Sequence, residues 1–335
     1  MAGASASPLT AGIWVVAESN PDGTLAKSSA ELATLARSLA DAGGGGATGI
    51  VVAVDPSAAA GELASYLPRV VAIADPVVRD RAWAQVAAAR TAEALGEEAP
   101  GLVLAGAGPD GRDVAGTLLA LLDGAVLVNA TAVRWDADAG PTVEMSVFGG
   151  KLTTRSAFVG EGWRIVTVRP NVVTAKPAAA AGTVETREAA AEPAVPAVRV
   201  ADRVVESAAA VSIDDARVIV SGGRGVGGEQ GFELVGQLAE ALGGAVGATR
   251  AAVDAGWIPY AQQIGQTGKI VKPQLYLALG ISGAIQHKVG MQTAGTIIAV
   301  NRDPDAPIAE FADLLVVGDL FDVGRALLSA LRARG

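Results

Sequence analysis

Two glycine-rich runs flank one apolar segment near the C-terminal end of the chain. They read, with the segment between them, Gly265-Gln266-Thr267-Gly268-Lys269, then Pro273-Gln274-Leu275-Tyr276-Leu277-Ala278-Leu279, then Gly280-Ile281-Ser282-Gly283-Ala284-Ile285-Gln286-His287. The apolar segment predicts a buried strand, and the last run predicts a helix that begins near Ser282 or Gly283. Because a helix start offers unpaired N–H groups and a partial positive charge, this stretch predicts a place to hold a phosphate or another anionic group.

The composition excludes several classes of function. The chain has 335 residues, no cysteine and one histidine, His287. Disulfides, cysteine-ligated iron–sulfur clusters and a thiol nucleophile are therefore excluded, and so are the usual multi-histidine metal sites. Ser282 has no Gly-x-Ser-x-Gly elbow around it, which argues against a serine hydrolase. We predict no metal site, and any redox chemistry must be carried by an organic cofactor.

The charge and the hydrophobic pattern bear on partners and location. The formal net charge is −9, which argues against binding to nucleic acid or to an anionic membrane surface. No apolar run reaches the roughly 18 residues that a membrane-spanning helix needs. The start, Met1 to Ala11, has no basic segment before its apolar run and does not resemble a secretion signal. We therefore predict a cytoplasmic protein, or a mitochondrial matrix protein in a eukaryote, although no clear transit peptide is present.

The order of apolar segments predicts two α/β domains. Strands and helices alternate from Gly12 to Leu122, which predicts a parallel sheet covered by helices on both faces, and consecutive, partly antiparallel strands follow up to Val168. Lys176–Pro196 is rich in Ala, Pro and Glu and lacks helical or strand periodicity, so it predicts an extended connection. Val198–Glu206 predicts one more strand. A second unit with five parallel strands follows, so we assign residues 1–207 to an N-terminal domain, with the connection near 176–207, and residues 208–335 to a C-terminal domain.

Polar residues follow several strands of the second unit. Ser221–Gly225, Thr249, Arg250, Ser282 and Asn301 each come just after a predicted strand. Parallel strands of such a sheet bring their carboxyl ends to one edge, where ligands bind. We therefore expect these residues to converge along one edge.

Two stretches match the G-x-G-x-x-G pattern of nucleotide-binding turns. They are Gly106–Gly111 and Gly223–Gly228. With 42 glycines in the chain, chance matches are expected, and neither match has a clear acidic residue after the next strand to hold a ribose. Tight strand-to-helix turns explain both, but Arg224 favours a functional role for the second, since an arginine beside backbone N–H groups suits a pyrophosphate.

The motifs of the second unit occur together in one known family. Ser221–Gly225, Ala248–Gly256, Gln263–Lys269, Gly280–His287 and Ile298–Pro304 resemble, in this order, the electron transfer flavoprotein alpha subunit. The match covers roughly residues 217–325. The N-terminal half fits more loosely, mainly in its strand–helix pattern and in Gly111-Arg112-Asp113, which most simply start a helix. The resemblance implies an N-terminal α/β domain with a mixed sheet, which forms the subunit core, and a C-terminal FAD-binding α/β domain with a parallel sheet.

The resemblance also implies an activity and partners. The protein would be an electron carrier that forms a heterodimer with a beta subunit, which completes the flavin environment. FAD would accept electrons from flavin dehydrogenases, such as acyl-CoA dehydrogenases of fatty acid beta-oxidation, and deliver them to the respiratory chain through a membrane quinone oxidoreductase. No substrate bond is broken, so the chain is a carrier rather than an enzyme with its own substrate.

Roles for individual residues follow from the same resemblance. Arg250 would lie over the flavin ring, Thr267 would hydrogen-bond flavin N5, and His287 would stabilise negative charge at the N1/C2-carbonyl edge of the reduced flavin; these three tune the flavin. The implied FAD-binding residues are Arg224, Thr249, Arg250, Gln263, Ile264, Gly265, Gln266, Thr267, Ser282, Gly283, Ala284, Ile285, Gln286, His287, Asn301, Asp319 and Leu320.

Simpler readings stay open for these residues and for the whole chain. Arg250 suits a surface salt bridge, Thr267 a turn, and His287 an apolar core. Gln263 and Gln266 suit a solvated loop, and Asn301 and Asp319 suit turns. The alternatives for the whole chain are a non-redox adenine-nucleotide-binding regulatory module, an NAD- or NADP-binding domain, and a subunit of an electron-bifurcating flavoprotein.

Overall fold

The chain divides into two compact units. The computed structural model describes residues 12–96, 101–148, 152–189, 191–202, 213 and 216–333. The units are Met1–Val204 and Val205–Gly335. Most of the predicted domain boundary, between 203 and 215, lies outside the described residues. Of the helices in the part of the chain that the structure describes, none has the length and apolar content to cross a membrane.

The first unit is built on one mixed sheet. Its strands, in the described part of the chain, are β1 (Ile13–Ala17), β2 (Ala47–Ala53), β3 (Arg69–Ala74), β4 (Leu102–Gly106), β5 (Gly124–Asp136), β6 (Gly140–Val147), β7 (Leu152–Ala157), β8 (Trp163–Val168) and β9 (Thr183–Glu188). Their order is β7-β6-β5-β8-β4-β1-β2-β3-β9. The pairs β5–β6 and β6–β7 are antiparallel, and the other neighbours are parallel. The predicted mixed sheet is confirmed.

Helices cover both faces of this sheet. They are α1 (Lys27–Leu39), α2 (Ser57–Leu63), α3 (Trp83–Leu95) and α4 (Pro109–Leu121). Side chains alternate between the faces of a strand: Ile13 and Val15 pack with α1 and α2, whereas Trp14 and Val16 pack with α3 and α4. All five residues of β1 are buried for this reason, which explains its uninterrupted apolar sequence.

Helix α3 begins later than its sequence suggests. The apolar pattern predicts a helix from Val77, but the structure has a short 3-10 turn over Pro76–Arg79 and starts α3 at Trp83. The residues between them pair with a distant segment of the chain. Ala82 N donates to the Val198 carbonyl over 2.9 Å, and the backbones of Arg81 and Arg199 form an isolated antiparallel β-bridge. A long-range contact therefore interrupts the predicted helix. Val198–Glu206 was predicted to be a strand. In residues 198–202 only Arg199 takes part in a β-bridge, and residues 203–206 lie outside the described residues.

The extended connection contains one strand that periodicity did not predict. Thr183–Glu188 forms β9 and pairs in parallel with all six residues of β3. Every residue of β9 is exposed, so the strand carries no apolar alternation that would reveal it. Backbone pairing and an ion pair between Arg69 and Glu185, 3.3 Å apart, hold it at the sheet edge.

The second unit contains a five-stranded sheet in its described residues. Its strands are β10 (Val218–Gly222), β11 (Ala245–Ala248), β12 (Leu275–Leu279), β13 (Thr296–Asn301) and β14 (Leu314–Val317), and its helices are α5 (Gly231–Ala241), α6 (Arg250–Asp254), α7 (Ile285–Met291) and α8 (Leu320–Arg332). The order is β11-β10-β12-β13-β14, and every pairing is parallel. The predicted parallel sheet is confirmed.

Helix α7 is shorter than predicted. It begins at Ile285 rather than near Ser282 or Gly283. Gly283 has a φ of +86°, a left-handed conformation that cannot belong to an α-helix, and the Ser282 carbonyl accepts a hydrogen bond from Ile308 N over 2.9 Å. The run Gly280–Ala284 is therefore a loop fastened to the segment after β13.

Candidate functional site

A cavity of about 650 Å³ opens at the carboxyl edge of the second sheet. This volume is within the range of about 300–1,000 Å³ that is typical of small-molecule sites. Its lining residues are Gly223, Arg224, Gly225, Thr249, Arg250, Ala251, Asp254, Ile264, Gly265, Gln266, Thr267, Gly280, Ile281, Ser282, Ala284, Gln286, His287, Asn301, Asp303, Ala306 and Pro307. They come from the segments that follow β10, β11, β12 and β13, including α6 and the first turn of α7, as expected for a ligand site at the carboxyl ends of parallel strands.

Hydrogen bonds between the segments that follow the strands build the walls of this cavity. Gly225 N donates to the Gly280 carbonyl over 3.0 Å, and Gln266 N donates to the Gln286 carbonyl over 2.7 Å. The Asn301 side-chain amide donates to the Ile281 carbonyl over 2.9 Å. The sequence motifs around these residues therefore lie against each other in space.

Twelve of the predicted FAD-binding residues line the cavity, and five do not. The twelve are Arg224, Thr249, Arg250, Ile264, Gly265, Gln266, Thr267, Ser282, Ala284, Gln286, His287 and Asn301. The five are Gln263, Gly283, Ile285, Asp319 and Leu320. The Gln263 side chain is buried and hydrogen-bonds Thr267. Gly283 packs against the backbone of Ile308, since a Cβ added to it would lie 2.4 Å from Ile308 N.

Asp319 is engaged at the start of α8. Its carboxylate accepts from the backbone N–H groups of Phe321 and Asp322 over 2.8 and 3.2 Å and pairs with the Arg302 guanidinium. The hydrogen bond from Arg302 is the main cause that lowers the pKa of Asp319. Asp319 therefore caps the N-terminus of α8, and its contact with a ribose stays a prediction. Leu320, the next residue, packs into the hydrophobic core.

Thr267 presents its hydroxyl from an ordered loop. The buried Gln263 amide donates to Thr267 Oγ1 over 3.0 Å, and the Tyr260 hydroxyl donates to the Thr267 carbonyl over 2.6 Å. Because the hydroxyl oxygen already accepts a hydrogen bond, its own hydrogen is left to donate elsewhere. Thr267 is exposed, so this donor can face a ligand.

His287 is a buried lining residue, and each of its ring nitrogens lies within hydrogen-bonding distance of another protein atom. Nε2 lies 2.9 Å from the Tyr276 hydroxyl, and Nδ1 lies 3.0 Å from the Ile264 carbonyl oxygen. The His287 residue is 5% exposed, and this burial lowers the pKa of His287 to about 4. The imidazole is therefore neutral at physiological pH. The ring N–H contact with FAD that the resemblance implies stays a prediction.

Charged residues of both signs line the cavity. Arg250 Nε pairs with Asp254 over 3.1 Å, and both side chains are more than 60% exposed. Arg224 is also exposed, and Asp303 adds a second carboxylate to the lining. The surface salt bridge considered for Arg250 is thus present, and it leaves the guanidinium at the cavity wall.

Nine lining residues are not among the predicted FAD-binding residues: Gly223, Gly225, Ala251, Asp254, Gly280, Ile281, Asp303, Ala306 and Pro307. Gly223 and Gly225 belong to the run that was expected at this edge, Gly280 and Ile281 belong to the run predicted to hold an anionic group, and Asp303 belongs to the motif around Asn301. Ala251, Asp254, Ala306 and Pro307 were not singled out. Asp254 faces the cavity only because α6 turns it back beside Arg250.

Comparisons with known proteins agree with this geometry. The family model described as "Electron transfer flavoprotein domain" matches residues 13–194, and "Electron transfer flavoprotein FAD-binding domain" matches residues 212–292. An electron transfer flavoprotein subunit alpha of Mycobacterium tuberculosis is 42% identical over 93% of this chain and 96% of its own length. A subunit alpha of Mycobacterium leprae is 48% identical over 70% of this chain and 73% of its own length. One of Thermoanaerobacterium thermosaccharolyticum is 35% identical over 96% of this chain and 97% of its own length. The chain therefore belongs to the family of electron transfer flavoprotein alpha subunits, whose cofactor is FAD.

Proposed function

We propose that this chain holds FAD in the cavity of its second unit and, with a beta subunit, carries electrons between flavin dehydrogenases and a membrane quinone oxidoreductase. The electron donors would include acyl-CoA dehydrogenases, and the location would be the cytoplasm. The observation that carries the proposal is the cavity itself, because most of its lining lies within residues 212–292, which match the FAD-binding family model.

The residues of the cavity fit FAD. The Thr249 hydroxyl is a buried polar group without a hydrogen-bond partner among the described residues. Because buried polar groups are normally hydrogen-bonded, a polar ligand in the cavity would supply the partner that this hydroxyl lacks. Arg224 and Arg250 supply positive charge for a pyrophosphate or for a reduced ring. Gly225 and Gly280 let the two loops approach so closely that a Cβ on Gly225 would lie 2.7 Å from Gly280 Cα.

FAD supplies the redox chemistry when it is bound. The chain then has three tasks: it orients the cofactor, excludes water from one side, and sets the local field. Arg250 stays charged at any working pH and favours negative charge in the cavity, while Thr267 offers its hydroxyl hydrogen. No group of the site has to break a bond or move a proton, which agrees with a neutral, buried His287.

The exposure of the lining supports a second subunit. Arg250, Gln266, Thr267, Ser282, Ala284 and Gln286 are exposed in this chain, and the described residues that line the cavity include no Phe, Tyr or Trp. A flavin ring held here would therefore have one side without cover. We propose that the beta subunit covers it.

Purification with a beta subunit tests the proposal. We expect stoichiometric bound flavin in the visible spectrum of the pair and weak retention in the chain alone. Arg224→Gln should lower the flavin content, whereas Arg217→Gln should not. The exposed Arg217 precedes β10 and donates to the side chain of Gln274, which precedes β12, so it lies at the opposite end of these strands from the cavity. A colourless complex, or one that holds AMP or NADP, would refute the proposal. Reduction of the bound flavin by an acyl-CoA dehydrogenase, and its reoxidation by a quinone oxidoreductase, test the partners.

A further inference from the structure

Helix α6 carries two opposite charges on the side that lines the cavity. Arg250 and Asp254 are both lining residues, whereas Ala252 between them is fully buried in the hydrophobic core. At the start of α6 the Thr249 N–H donates to the Gly222 carbonyl over 3.0 Å, which fastens the helix to β10. The backbone that carries both charged side chains is therefore fixed to the sheet.

The order of the two charges does not favour the helix itself. Helix α6 runs from Arg250 to Asp254, so a cation stands at its N-terminal end and a carboxylate at its C-terminal end. The helix dipole favours the opposite arrangement, and a pair four residues apart stabilises a helix more when the acid precedes the base. Helix stability therefore does not explain the acid at position 254.

An acid in this wall also works against the proposed cofactor. FAD brings a negatively charged pyrophosphate, and its ring gains electrons when it is reduced. A carboxylate in the wall repels negative charge unless it acts mainly on a neighbouring cation. Such a cation is present, because Arg250 Nε lies 3.1 Å from the Asp254 carboxylate.

The ion pair uses only one side of the guanidinium. Arg250 Nε donates to Asp254 Oδ2, and the two terminal amino groups of Arg250 have no hydrogen-bond partner among the described residues. The guanidinium is a rigid planar fork with five N–H groups, so four of them remain for a ligand. An exposed arginine without a partner samples many rotamers, and the bond to Asp254 restricts them.

We infer that Asp254 is a positioning residue for Arg250: its carboxylate holds the Nε side of the guanidinium at the cavity wall and leaves the two terminal amino groups to the cofactor. The inference deepens the proposed function and rests on it, because FAD is what those amino groups would contact. Asp254 itself neither binds the cofactor nor moves a proton. It makes the positive charge of Arg250 act from one fixed place.

Redox titration of the complex with a beta subunit tests this role through paired substitutions. Arg250→Ala should lower the flavin potential, and the drop should be smaller in an Asp254→Ala background, where the guanidinium is no longer held. Because a Coulomb energy is inversely proportional to distance, an arginine at twice the distance keeps about half of its effect. The direct effect of the Asp254 charge is the same with and without Arg250 and cancels in this comparison. An equal drop in both backgrounds would overturn the inference.

Two further backgrounds control for the loss of a carboxylate as such. Asp254→Glu keeps a carboxylate four residues after Arg250 and should retain most of the drop. Asp322→Ala removes the acid of an exposed ion pair with Arg325, 2.9 Å away on α8; Asp322 does not line the cavity, so this variant should retain the whole drop. A drop as small in Asp322→Ala as in Asp254→Ala would contradict the inference, since any lost carboxylate would then act alike.

The ion pair can be measured in the full chain without flavin. With ¹⁵N-labelled arginine, the Nε–H signal of Arg250 is assigned by NMR from its loss in Arg250→Lys. We expect this signal to move in Asp254→Ala and to stay in place in Asp322→Ala, because only the first variant removes its acceptor. An unchanged signal in Asp254→Ala would overturn the inference.

The two measurements separate this inference from the proposed function. A complex that binds FAD but shows equal drops with and without Asp254 would refute the role of Asp254 and leave the proposed function intact. A chain with the expected Nε–H signal whose complex holds no FAD would refute the proposed function, and with it the role of the ion pair toward the cofactor.

Discussion

Two glycine-to-alanine changes in the second unit should have opposite effects. A methyl group on Gly225 would lie 2.7 Å from the Cα and 2.9 Å from the carbonyl oxygen of Gly280. Both obstacles are backbone atoms, so one loop must move. Overpacking of this kind costs about 1–3 kcal/mol, and we expect Gly225→Ala to lower the free energy of unfolding of this unit by that amount.

Gly236 provides the matched control. It lies inside α5, and no atom lies within 4 Å of a Cβ added there. Alanine is about 0.5–1 kcal/mol more favourable than glycine in a helix interior. The same added methyl should therefore stabilise the unit by about 0.5–1 kcal/mol in Gly236→Ala.

The change at Gly225 should also weaken FAD binding. Gly225 N donates to the Gly280 carbonyl, and both residues line the cavity. If the two loops separate to admit the methyl group, FAD binding must bring them back together. Binding then meets the same overpacking cost of about 1–3 kcal/mol, which corresponds to about 5- to 150-fold weaker affinity. Gly236→Ala should leave the affinity unchanged.

Two assays check this pair. Hydrogen exchange of peptides from residues 216–333 reports the stability of the second unit separately from the first. Flavin fluorescence titration of the complex with a beta subunit reports affinity. A Gly225→Ala variant with wild-type exchange and wild-type affinity would show that the contact between the two loops does not matter for the site.

Substitutions at three ionisable residues, Arg250, His287 and Glu18, test the electrostatics of the protein. Arg250→Ala should change the free energy of unfolding by less than about 0.5 kcal/mol, because the ion pair between Arg250 and Asp254 is exposed, but it should lower the flavin potential. Arg250→Lys keeps the positive charge and should largely keep the potential. Equal shifts of the two variants in a redox titration would show that the charge of Arg250 does not set the potential. The pKa of His287, about 4 in the fold against 6.5 ordinarily, means that protons bind the unfolded chain better. Stability should therefore be full above about pH 6.5 and fall toward pH 4 by up to about 3 kcal/mol, a slope that denaturant unfolding should not show in His287→Gln. Burial is the main cause that raises the pKa of Glu18 to about 7 from 4.5, so its contribution has the opposite sign: it is full below about pH 4.5 and is lost as the pH rises through 7. Glu18→Gln should therefore be more stable than wild type at pH 8 by about 1–3 kcal/mol, and equal stabilities would show that this carboxyl is not held in a desolvated site.

The sequence predicts most of the fold because most strands are buried on both faces. In β1 and β12 burial selects a continuous apolar run, which is visible without knowledge of neighbours. Local sequence carries no signal where an element depends on pairing with a distant segment. The exposed strand β9 has no apolar pattern, and α3 starts at Trp83 because the preceding residues pair with residues 198–200.

The sequence also predicts where the site lies, because parallel strands bring their carboxyl ends to one edge. Thr249, Ser282 and Asn301 line one cavity for that reason. The order of motifs, read alone, was sufficient for the family and for FAD. These conclusions need only residue identities and their order along the chain.

Only the tertiary structure decides what each polar side chain does. Asp319 caps α8, Gln263 lies behind Thr267, and both ring nitrogens of His287 are taken by residues 11 and 23 positions away. Such partners depend on strand register and on loop contacts, which bring together groups that local sequence cannot relate. A buried polar atom must be satisfied by whatever lies within about 3 Å of it, and that neighbour is set by the fold.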